Sequence, residues 1–244
     1  MKNDPKLTAE LTQVAHLMAD AAGAVILPYF RSADLGTDNK LEGGYDPVTV
    51  ADRAGEAAMR AVLAEHRPND AILGEELGTK AGTTGLTWVL DPIDGTRGFV
   101  SGTPTWGVLI AVGSEDGPFL GVVDQPYIGE RFVGTPEGAM LVRGGERSAI
   151  RTRAPRPLSE ATIFTTFPEV GSKEEGAAFH AVAEEALLTR YGMDCYAYAL
   201  VALGQVDLVI EASLQAYDIQ APLALIQAAG GVVTAGAGGP ADTG

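Results

Sequence analysis

Residues 88–99 read WVLDPIDGTRGF, an apolar run that ends in two acidic residues three positions apart. The run predicts a buried strand, and Pro92 and Gly95 predict a turn where the strand ends. Carboxylates are rarely buried without a partner, because removing a charge from water costs free energy. Asp91 and Asp94 therefore belong either to an exposed turn or to a site that holds something positive.

The turn DPIDGT has the composition of a half-shell for a hard cation. Pro92 disfavours helix at Asp91 and Gly95 permits unusual dihedral angles, so the carboxylates and the Ile93 carbonyl can converge on one point. Mg²⁺ prefers such oxygen ligands and takes others from water or substrate phosphate. If Gly95 and Thr96 open a helix, their N–H groups would add a cradle for an anion. The hexapeptide leaves the solvated turn and the metal site both open.

The charge balance of the whole chain limits the classes of partner. The 244 residues include 32 acidic and 17 basic ones, a net charge of −15, which argues against binding to nucleic acid or to an anionic membrane. A small anionic substrate would then need a local positive centre. The sequence shows no long apolar run and no signal peptide, which predicts a cytoplasmic protein. The single cysteine, Cys195, and three dispersed histidines argue against a zinc site.

Periodicity and composition divide the chain into two halves. Residues 1–146 predict an α+β half of two helices and an antiparallel sheet, and residues 147–244 predict a smaller α/β half, with the boundary in the charged, proline-rich stretch 144–160. Helices are expected at 5–30, 50–67, 173–190, 195–204 and 217–229, and strands at 71–76, 87–90, 106–113, 119–123, 131–135, 139–143, 161–167, 206–212 and 231–234. We expect a polar connection at 32–45, a loop at 77–86 that acts as a lid, and a frayed tail.

Other acids also lie where a predicted strand or helix begins or ends. Glu75 and Glu76 follow a strand, and Asp218 opens a helix after another strand. Asp52 opens the second helix and forms a capping-box pair with Thr49. Each acid alone is typical of a helix cap or a solvated charge. Together they indicate one edge of the fold where oxygen ligands collect.

Four segments resemble motifs of the inositol monophosphatase superfamily of metal-dependent phosphatases. WVLDPIDGTRGF is similar to its W-x-x-D-P-(I/L)-D-G-T motif, ILGEE to its upstream acidic motif, DPVTVAD to its N-terminal motif and AYDIQAPLALIQAAGG to its C-terminal motif. The resemblance implies a layered α-β-α-β-α sandwich of the inositol monophosphatase and fructose-1,6-bisphosphatase type. It also implies two or three Mg²⁺ ions, a small phosphorylated substrate and a homodimer. Because family chains continue further past GGVVT, we expect an incomplete sheet edge or dimer contact here.

The resemblance further implies two ligand sets that share one carboxylate, and a third, weaker ion near Glu75. The first Mg²⁺ would be held by Glu75, Asp91 and the Ile93 carbonyl, and the second by Asp91, Asp94 and Asp218. Gly95 and Thr96 would bind the phosphate, and Asp94 would also contact the substrate. Thr96, with Asp52 and Glu75, would orient or deprotonate the attacking water.

The second half of the sequence bears on the substrate. GMDCYAYALVALGQVDLVIEASLQAYD resembles the histidinol-phosphatase branch of the superfamily, and DGTRGF differs from the D-G-T-T-N-F of the inositol type. The resemblance implies hydrolysis of L-histidinol phosphate in histidine biosynthesis. The alternative within the superfamily is an inositol monophosphatase or a broad-specificity polyol phosphatase. A non-catalytic metal-binding protein is the alternative from a different class.

The substrate residues are predicted from the chemistry of histidinol phosphate, which carries an ammonium group. Asp194 suits that group through a charge-assisted hydrogen bond, and its alternative role is the N-cap of a helix. The resemblance implies Glu211 as a second partner, since it aligns with a substrate-contacting acid of the family, and Arg190 is a candidate contact for the phosphate. Arg97, next to Thr96, is either a surface charge or a substrate contact.

Overall fold

A computed structural model describes residues 4–32, 38–39, 47–236, 238–239 and 241. The helices are α1 (Pro5–Ile26), α2 (Val50–His66), α3 (Thr96–Ser101), α4 (Lys173–Ala183), α5 (Tyr196–Ala202) and α6 (Ala216–Ala228). The strands are β1 (Asp38–Asn39), β2 (Pro47–Val48), β3 (Ala71–Gly74), β4 (Gly78–Lys80), β5 (Thr87–Asp94), β6 (Gly107–Ser114), β7 (Gly117–Gln125), β8 (Glu130–Thr135), β9 (Gly138–Arg143), β10 (Glu146–Ile150), β11 (Thr162–Thr165), β12 (Leu188–Tyr191) and β13 (Leu208–Val209). Most of the connection expected at 32–45 lies outside the described residues.

Two main sheets and the helices that cover them form the layers of the molecule. Across the described residues, the large sheet has eight strands in the order β10-β9-β8-β7-β6-β5-β3-β4, and the small sheet has the order β12-β11-β13. Helices α1 and α2 pack on one face of the large sheet and α5 and α6 on the other. The small sheet lies between α5 and α4. These layers are the α-β-α-β-α sandwich that the sequence predicts, so the fold class is confirmed.

Strand β5 runs through the middle of the large sheet and is buried on both faces. Trp88 and Leu90 pack toward α1 and α2, whereas Val89 packs toward α5 and α6, as alternation along a strand requires. Strand β5 is parallel to β3 and antiparallel to β6. The carboxyl ends of β3 and β5 therefore meet at one edge of the sheet, where the Glu75 N–H donates to the Leu90 carbonyl at 3.1 Å.

Several elements differ from the bounds that the sequence predicts. Helix α1 ends at Ile26 and not at residue 30, because the chain tightens into turns in which the Tyr29 N–H donates to the Ile26 carbonyl. The loop expected at 77–86 contains strand β4, which pairs with the edge of β3. Residues 231–234 form no strand. The division of the chain at residue 146 stays a prediction.

The largest difference lies in the stretch expected to be one long helix from 173 to 190. Helix α4 ends at Ala183, and Leu188–Tyr191 instead forms β12, parallel to β11. Pairing with β11 satisfies the backbone of this segment and overrides its local helical pattern. Within the described ranges, no helix combines the length and the apolarity needed to cross a bilayer.

Asp70 anchors the start of β3 through a buried carboxylate that is 1% exposed. The carboxylate accepts hydrogen bonds from Arg67 Nε at 2.7 Å, Thr84 Oγ1 at 2.6 Å and Trp88 Nε1 at 2.9 Å. Burial by itself raises the pKa of Asp70, but these donors outweigh burial and hold the pKa below its usual value. The ionised carboxylate therefore stabilises the fold at neutral pH, and this stabilisation is lost as the pH falls from about 3.9, the unfolded value, through the folded pKa.

Asp70→Asn is expected to lower the free energy of unfolding at pH 7 by about 2–3 kcal/mol, because it weakens a buried, fully bonded carboxylate. Glu10→Gln is the matched control, since the Glu10 side chain is 52% exposed and bonds the same Arg67 at 2.7 Å. The control should change stability by less than about 0.5 kcal/mol. Urea unfolding at pH 7 and pH 3 measures both variants. A deficit of Asp70→Asn that does not shrink at pH 3 would contradict the pKa argument.

Candidate active site

Three carboxylates from two elements converge at the end of β5. One oxygen from each of Asp91, Asp94 and Asp218 lies within 4.8 Å of the others. Asp91 and Asp94 belong to β5, and Asp218 belongs to the first turn of α6. A bulge brings the two β5 residues together: from Asp91 to Asp94 the strand advances three residues, while β6 advances two, from Leu109 to Gly107. The bulge re-aims the strand end toward α6.

The electrostatics of this cluster suit a cation. Burial raises the pKa of Asp91 well above its usual value, and the charges of Glu75, Asp94 and Asp218 raise it further. Burial also raises the pKa of Asp94, with the charge of Asp218 as the next cause, although the Cys195 N–H donates to Asp94 Oδ2 at 2.8 Å. A divalent ion with oxygen ligands would relieve this repulsion. The donor set therefore fits Mg²⁺.

The remaining predicted ligands lie at the same point. The carboxyl of Glu75, directly after β3, is within hydrogen-bonding reach of Asp91. The Ile93 N–H donates to Asp91 Oδ1 at 3.0 Å, and the Ile93 carbonyl accepts from the Thr96 hydroxyl at 3.1 Å. The structure thus brings together all the residues that the family resemblance implies as ligands, and all of them line one cleft: Glu75, Asp91, Ile93, Asp94 and Asp218.

Gly95 forms the turn between the acidic strand end and α3. Its φ is +84°, in the left-handed region that favours glycine. A β-carbon at residue 95 would lie 2.6 Å from the β-carbon of Asp194, closer than side-chain atoms approach. The sequence therefore needs glycine here both for the backbone conformation and for the close approach of Asp194.

Asp52 lies behind Thr96, in the first turn of α2. Its Oδ2 accepts the N–H and the hydroxyl of Thr49 at 2.8 and 2.6 Å, which confirms the predicted capping pair. Its Oδ1 lies 3.4 Å from the Thr96 hydroxyl oxygen. Burial raises the pKa of Asp52 to about 6, and the Thr49 hydrogen bonds oppose that rise. Asp52 is thus a helix cap through one oxygen and faces the candidate site through the other.

The acidic cluster opens into a cleft of about 400 Å³ with two further carboxylates in its walls. Asp194 Oδ2 accepts the Thr105 hydroxyl at 2.6 Å, and Cys195, not Asp194, occupies the N-cap position of α5. Across the cleft, Glu211 Oε1 accepts the N–H and the hydroxyl of Thr166 at 2.7 and 2.9 Å. Burial raises the pKa of both carboxyls. The cleft therefore offers carboxylates beyond those of the metal cluster.

Arg97 lies at the mouth of the cleft, and its guanidinium carbon is 5.0 Å from the centre of the Phe167 ring. Phe167 and Thr166 line the cleft but are absent from the residues that the sequence predicts. Their only signal is a position at the carboxyl end of a predicted strand. Arg190, in contrast, is exposed on β12 and does not line the cleft. Its expected contact with the phosphate has no support within one chain.

Comparisons with known proteins agree with this geometry. The sequence model of the inositol monophosphatase family matches residues 7–244. The chloroplastic bifunctional phosphatase IMPL2 of Arabidopsis thaliana is 42% identical over 223 residues, which cover 91% of this chain and 63% of that protein. A histidinol-phosphatase of Streptomyces coelicolor is 36% identical over 230 residues, which cover 91% of this chain and 85% of that one.

The fold is shared with solved structures of inositol monophosphatases. An inositol monophosphatase from Zymomonas mobilis superposes with a TM-score of 0.81 at 38% identity, covering 93% of this chain and 86% of that one. The chain thus spans less than two thirds of the Arabidopsis protein but most of the Streptomyces and Zymomonas ones. Since the family match extends over nearly the whole sequence, the chain belongs to the inositol monophosphatase family of Mg²⁺-dependent phosphatases.

Proposed function

We propose that this chain is a Mg²⁺-dependent phosphomonoesterase that hydrolyses L-histidinol phosphate to L-histidinol and phosphate. Family membership and the cluster of three carboxylates around the buried Asp91 support the reaction type. The observation that carries the choice of substrate is the position of Asp194, whose side chain lies directly against Gly95 in the proposed phosphate turn. A substrate bound through its phosphate at this turn would have a carboxylate beside it.

The ligands assigned to the two ions are those named from the family resemblance, with Asp91 shared between them. When bound, Mg²⁺ would supply positive charge to the phosphoryl oxygens, lower the pKa of a water and stabilise the leaving alkoxide. The protein contributes the fixed geometry: the bulge in β5 holds Asp91 and Asp94, and the first turn of α6 holds Asp218. A chain with a net charge of −15 can bind a phosphate ester in this way.

Thr96 and Asp52 are proposed to orient the attacking water. The Thr96 hydroxyl donates its one hydrogen to the Ile93 carbonyl at 3.1 Å and also lies 3.4 Å from Asp52 Oδ1. If the Ile93 carbonyl serves as a metal ligand, the hydroxyl would turn and donate its hydrogen bond to Asp52. The lone pairs of the same hydroxyl then face the cleft and can accept a hydrogen bond from a water. Glu75, at the other side of the cluster, is the second group that can take a proton from that water. The water would thus be held in line with the phosphorus before it attacks.

The substrate's ammonium group is proposed to bind between Asp194 and Glu211. Both carboxylates line the cleft and are held by hydroxyl groups, Asp194 by Thr105 and Glu211 by Thr166. Charge-assisted hydrogen bonds from an ammonium to such carboxylates are about twice as strong as neutral ones. An inositol phosphate offers only hydroxyl groups at the same place and would gain less binding free energy from these carboxylates.

Asp194→Asn tests this assignment, since it removes the charge but keeps the shape and an oxygen that can accept from Thr105. We expect kcat/KM for L-histidinol phosphate to fall by about 10- to 100-fold, the loss of one charged hydrogen bond. The des-amino analogue, in which hydrogen replaces the amino group, is the matched control substrate and should be hydrolysed equally by both proteins. Phosphate release is the measurement. An equal loss on the two substrates would show that Asp194 supports the turn and does not recognise the amine.

An inositol monophosphatase or a broad-specificity polyol phosphatase is the second candidate. The observation in its favour is the solved inositol monophosphatase of Zymomonas mobilis, which is as similar in sequence as the histidinol-phosphatase relative. The carboxylate cluster could support hydrolysis of any phosphomonoester, so the substrate specificity must come from the residues in the walls of the cleft. This second function predicts that inositol 1-phosphate is preferred and that Asp194→Asn has little effect.

A further inference from the structure

Glu56 is a buried carboxylate of α2 that no step of the proposed reaction uses. It is fully buried, at 0% exposure. Its Oε2 accepts the N–H of Glu76 at 2.7 Å and the N–H of Leu77 at 3.2 Å. Its Oε1 accepts from Arg60 Nε, one helical turn further along α2, at 2.7 Å. A single carboxylate thus binds the two backbone amides that directly follow Glu75.

The residue before Glu75 makes room for this carboxylate. A β-carbon at Gly74 would collide with Oε1 of Glu56 and would lie 2.8 Å from a guanidinium nitrogen of Arg60. Only glycine therefore lets α2 bring a charged side chain against the end of β3. Arg60 also donates to the Gly78 carbonyl, so the chain after Glu75 is held on both sides of its turn.

We propose that Glu56 is the positioning residue of Glu75, which it serves by fixing the backbone turn from which the Glu75 carboxylate reaches Asp91. This inference rests on the proposed metal role of Glu75. Hydrogen bonds from backbone amides to a charged acceptor are strong and directional, so they restrict where residue 75 can place its side chain. Residues behind a metal ligand commonly change metal affinity about 10- to 100-fold when they are replaced.

The position of Glu56 in α2 strengthens the inference. Asp52, one turn earlier in the same helix, faces Thr96 at 3.4 Å. Helix α2 would thus hold both Asp52, which is proposed to orient the water, and Glu56, which is proposed to position the metal ligand Glu75.

The test is Glu56→Gln in the full chain, with Mn²⁺ as the probe. We expect its dissociation constant, measured from the loss of the free Mn²⁺ electron paramagnetic resonance signal, to rise about tenfold. At saturating Mg²⁺, kcat should stay within about threefold of wild type, because the ligands themselves are unchanged. Asp70→Asn is the matched control: it weakens a buried carboxylate at the other end of β3 and should destabilise the fold without changing Mn²⁺ affinity.

Two further variants, Arg60→Met and Glu75→Gln, separate a failure of the positioning role of Glu56 from a failure of the metal role of Glu75. Arg60→Met removes the ion pair with Glu56, and the Arg60 side chain is 19% exposed. This variant should raise the Mn²⁺ dissociation constant about threefold and provides a test even if Glu56→Gln fails to fold. Glu75→Gln should raise it at least tenfold. Wild-type Mn²⁺ affinity in a folded Glu56→Gln or in Arg60→Met, with weakened binding in Glu75→Gln, would overturn the positioning role alone. Wild-type affinity in Glu75→Gln would overturn the metal role of Glu75 in the proposed function as well.

Discussion

Asp91→Asn is expected to lower Mg²⁺-dependent kcat by at least about a thousandfold and to raise the free energy of unfolding in metal-free buffer by about 1–2 kcal/mol. The loss of activity follows because Asp91 is the carboxylate that both ligand sets share. The gain in stability follows because Asp91 is buried among Glu75, Asp94 and Asp218, whose charges all raise its pKa. Asparagine keeps an oxygen that can accept the Ile93 N–H. Turnover assays and urea unfolding in EDTA measure the two effects.

The opposite signs of the two effects are the informative part of this prediction. Most substitutions of buried residues destabilise a protein, and Asp70→Asn, the control, should do so while leaving turnover unchanged. Asp70 is held by protein donors, whereas Asp91 faces other acids. An Asp91→Asn protein that is still active at saturating Mg²⁺, or that loses stability in EDTA, would refute the proposed role of the cluster.

Gly95→Ala is expected to lower kcat/KM by about a hundredfold or more. Alanine at φ +84° costs about 1–2 kcal/mol, and its β-carbon would lie 2.6 Å from that of Asp194, well inside the usual contact of about 3.5–4.0 Å. The turn or Asp194 must therefore move by about 1 Å, and displacements of that size at a reacting centre cost about 100-fold in rate. Steady-state kinetics of phosphate release measure the loss.

Gly102→Ala is the control that separates the effect of backbone strain from the effect of displacing the turn at Gly95. Gly102 lies at the other end of α3 with φ +75°, and a β-carbon there would meet Arg31 Cγ at an ordinary 3.5 Å. This variant should lose about 1–2 kcal/mol of stability and less than about threefold in kcat/KM. Equal kinetic losses in the two variants would mean that strain in α3, and not the contact between Gly95 and Asp194, limits the reaction.

The fold and the ligand set could be predicted from sequence where the signal is local. The apolar run before Asp91 is continuous because both faces of β5 are covered, by α1 and α2 on one side and by α5 and α6 on the other. The capping pair of Thr49 and Asp52 is a four-residue pattern, and the structure confirms it. Glu75 meets Asp91 and Asp94 because the parallel strands β3 and β5 deliver their carboxyl ends to the same edge, and Asp218 reaches them from the first turn of α6.

Features that depend on contacts between residues far apart in the chain could not be predicted from the sequence. Asp194 could be read as a helix cap because its partner, Thr105, is 89 positions away. The local pattern of Leu188–Tyr191 predicts helix, and only its pairing with β11 makes it a strand. The only sequence signal of Phe167 is its position at the carboxyl end of a predicted strand, which does not by itself mark a cleft residue. Arg190, a candidate contact for the phosphate, lies outside the cleft. The positioning role proposed for Glu56 likewise depends on backbone amides 20 and 21 positions further along the chain.

Release of inorganic phosphate from L-histidinol phosphate by the purified full chain, with Mg²⁺ and then with EDTA, tests the central claim most directly. Inositol 1-phosphate is the comparison substrate in the same assay. We predict hydrolysis that requires Mg²⁺, stops in EDTA, returns when Mg²⁺ is restored, and favours L-histidinol phosphate by at least about tenfold in kcat/KM. Hydrolysis that persists in EDTA, no hydrolysis of either ester, or a preference for inositol 1-phosphate would contradict it.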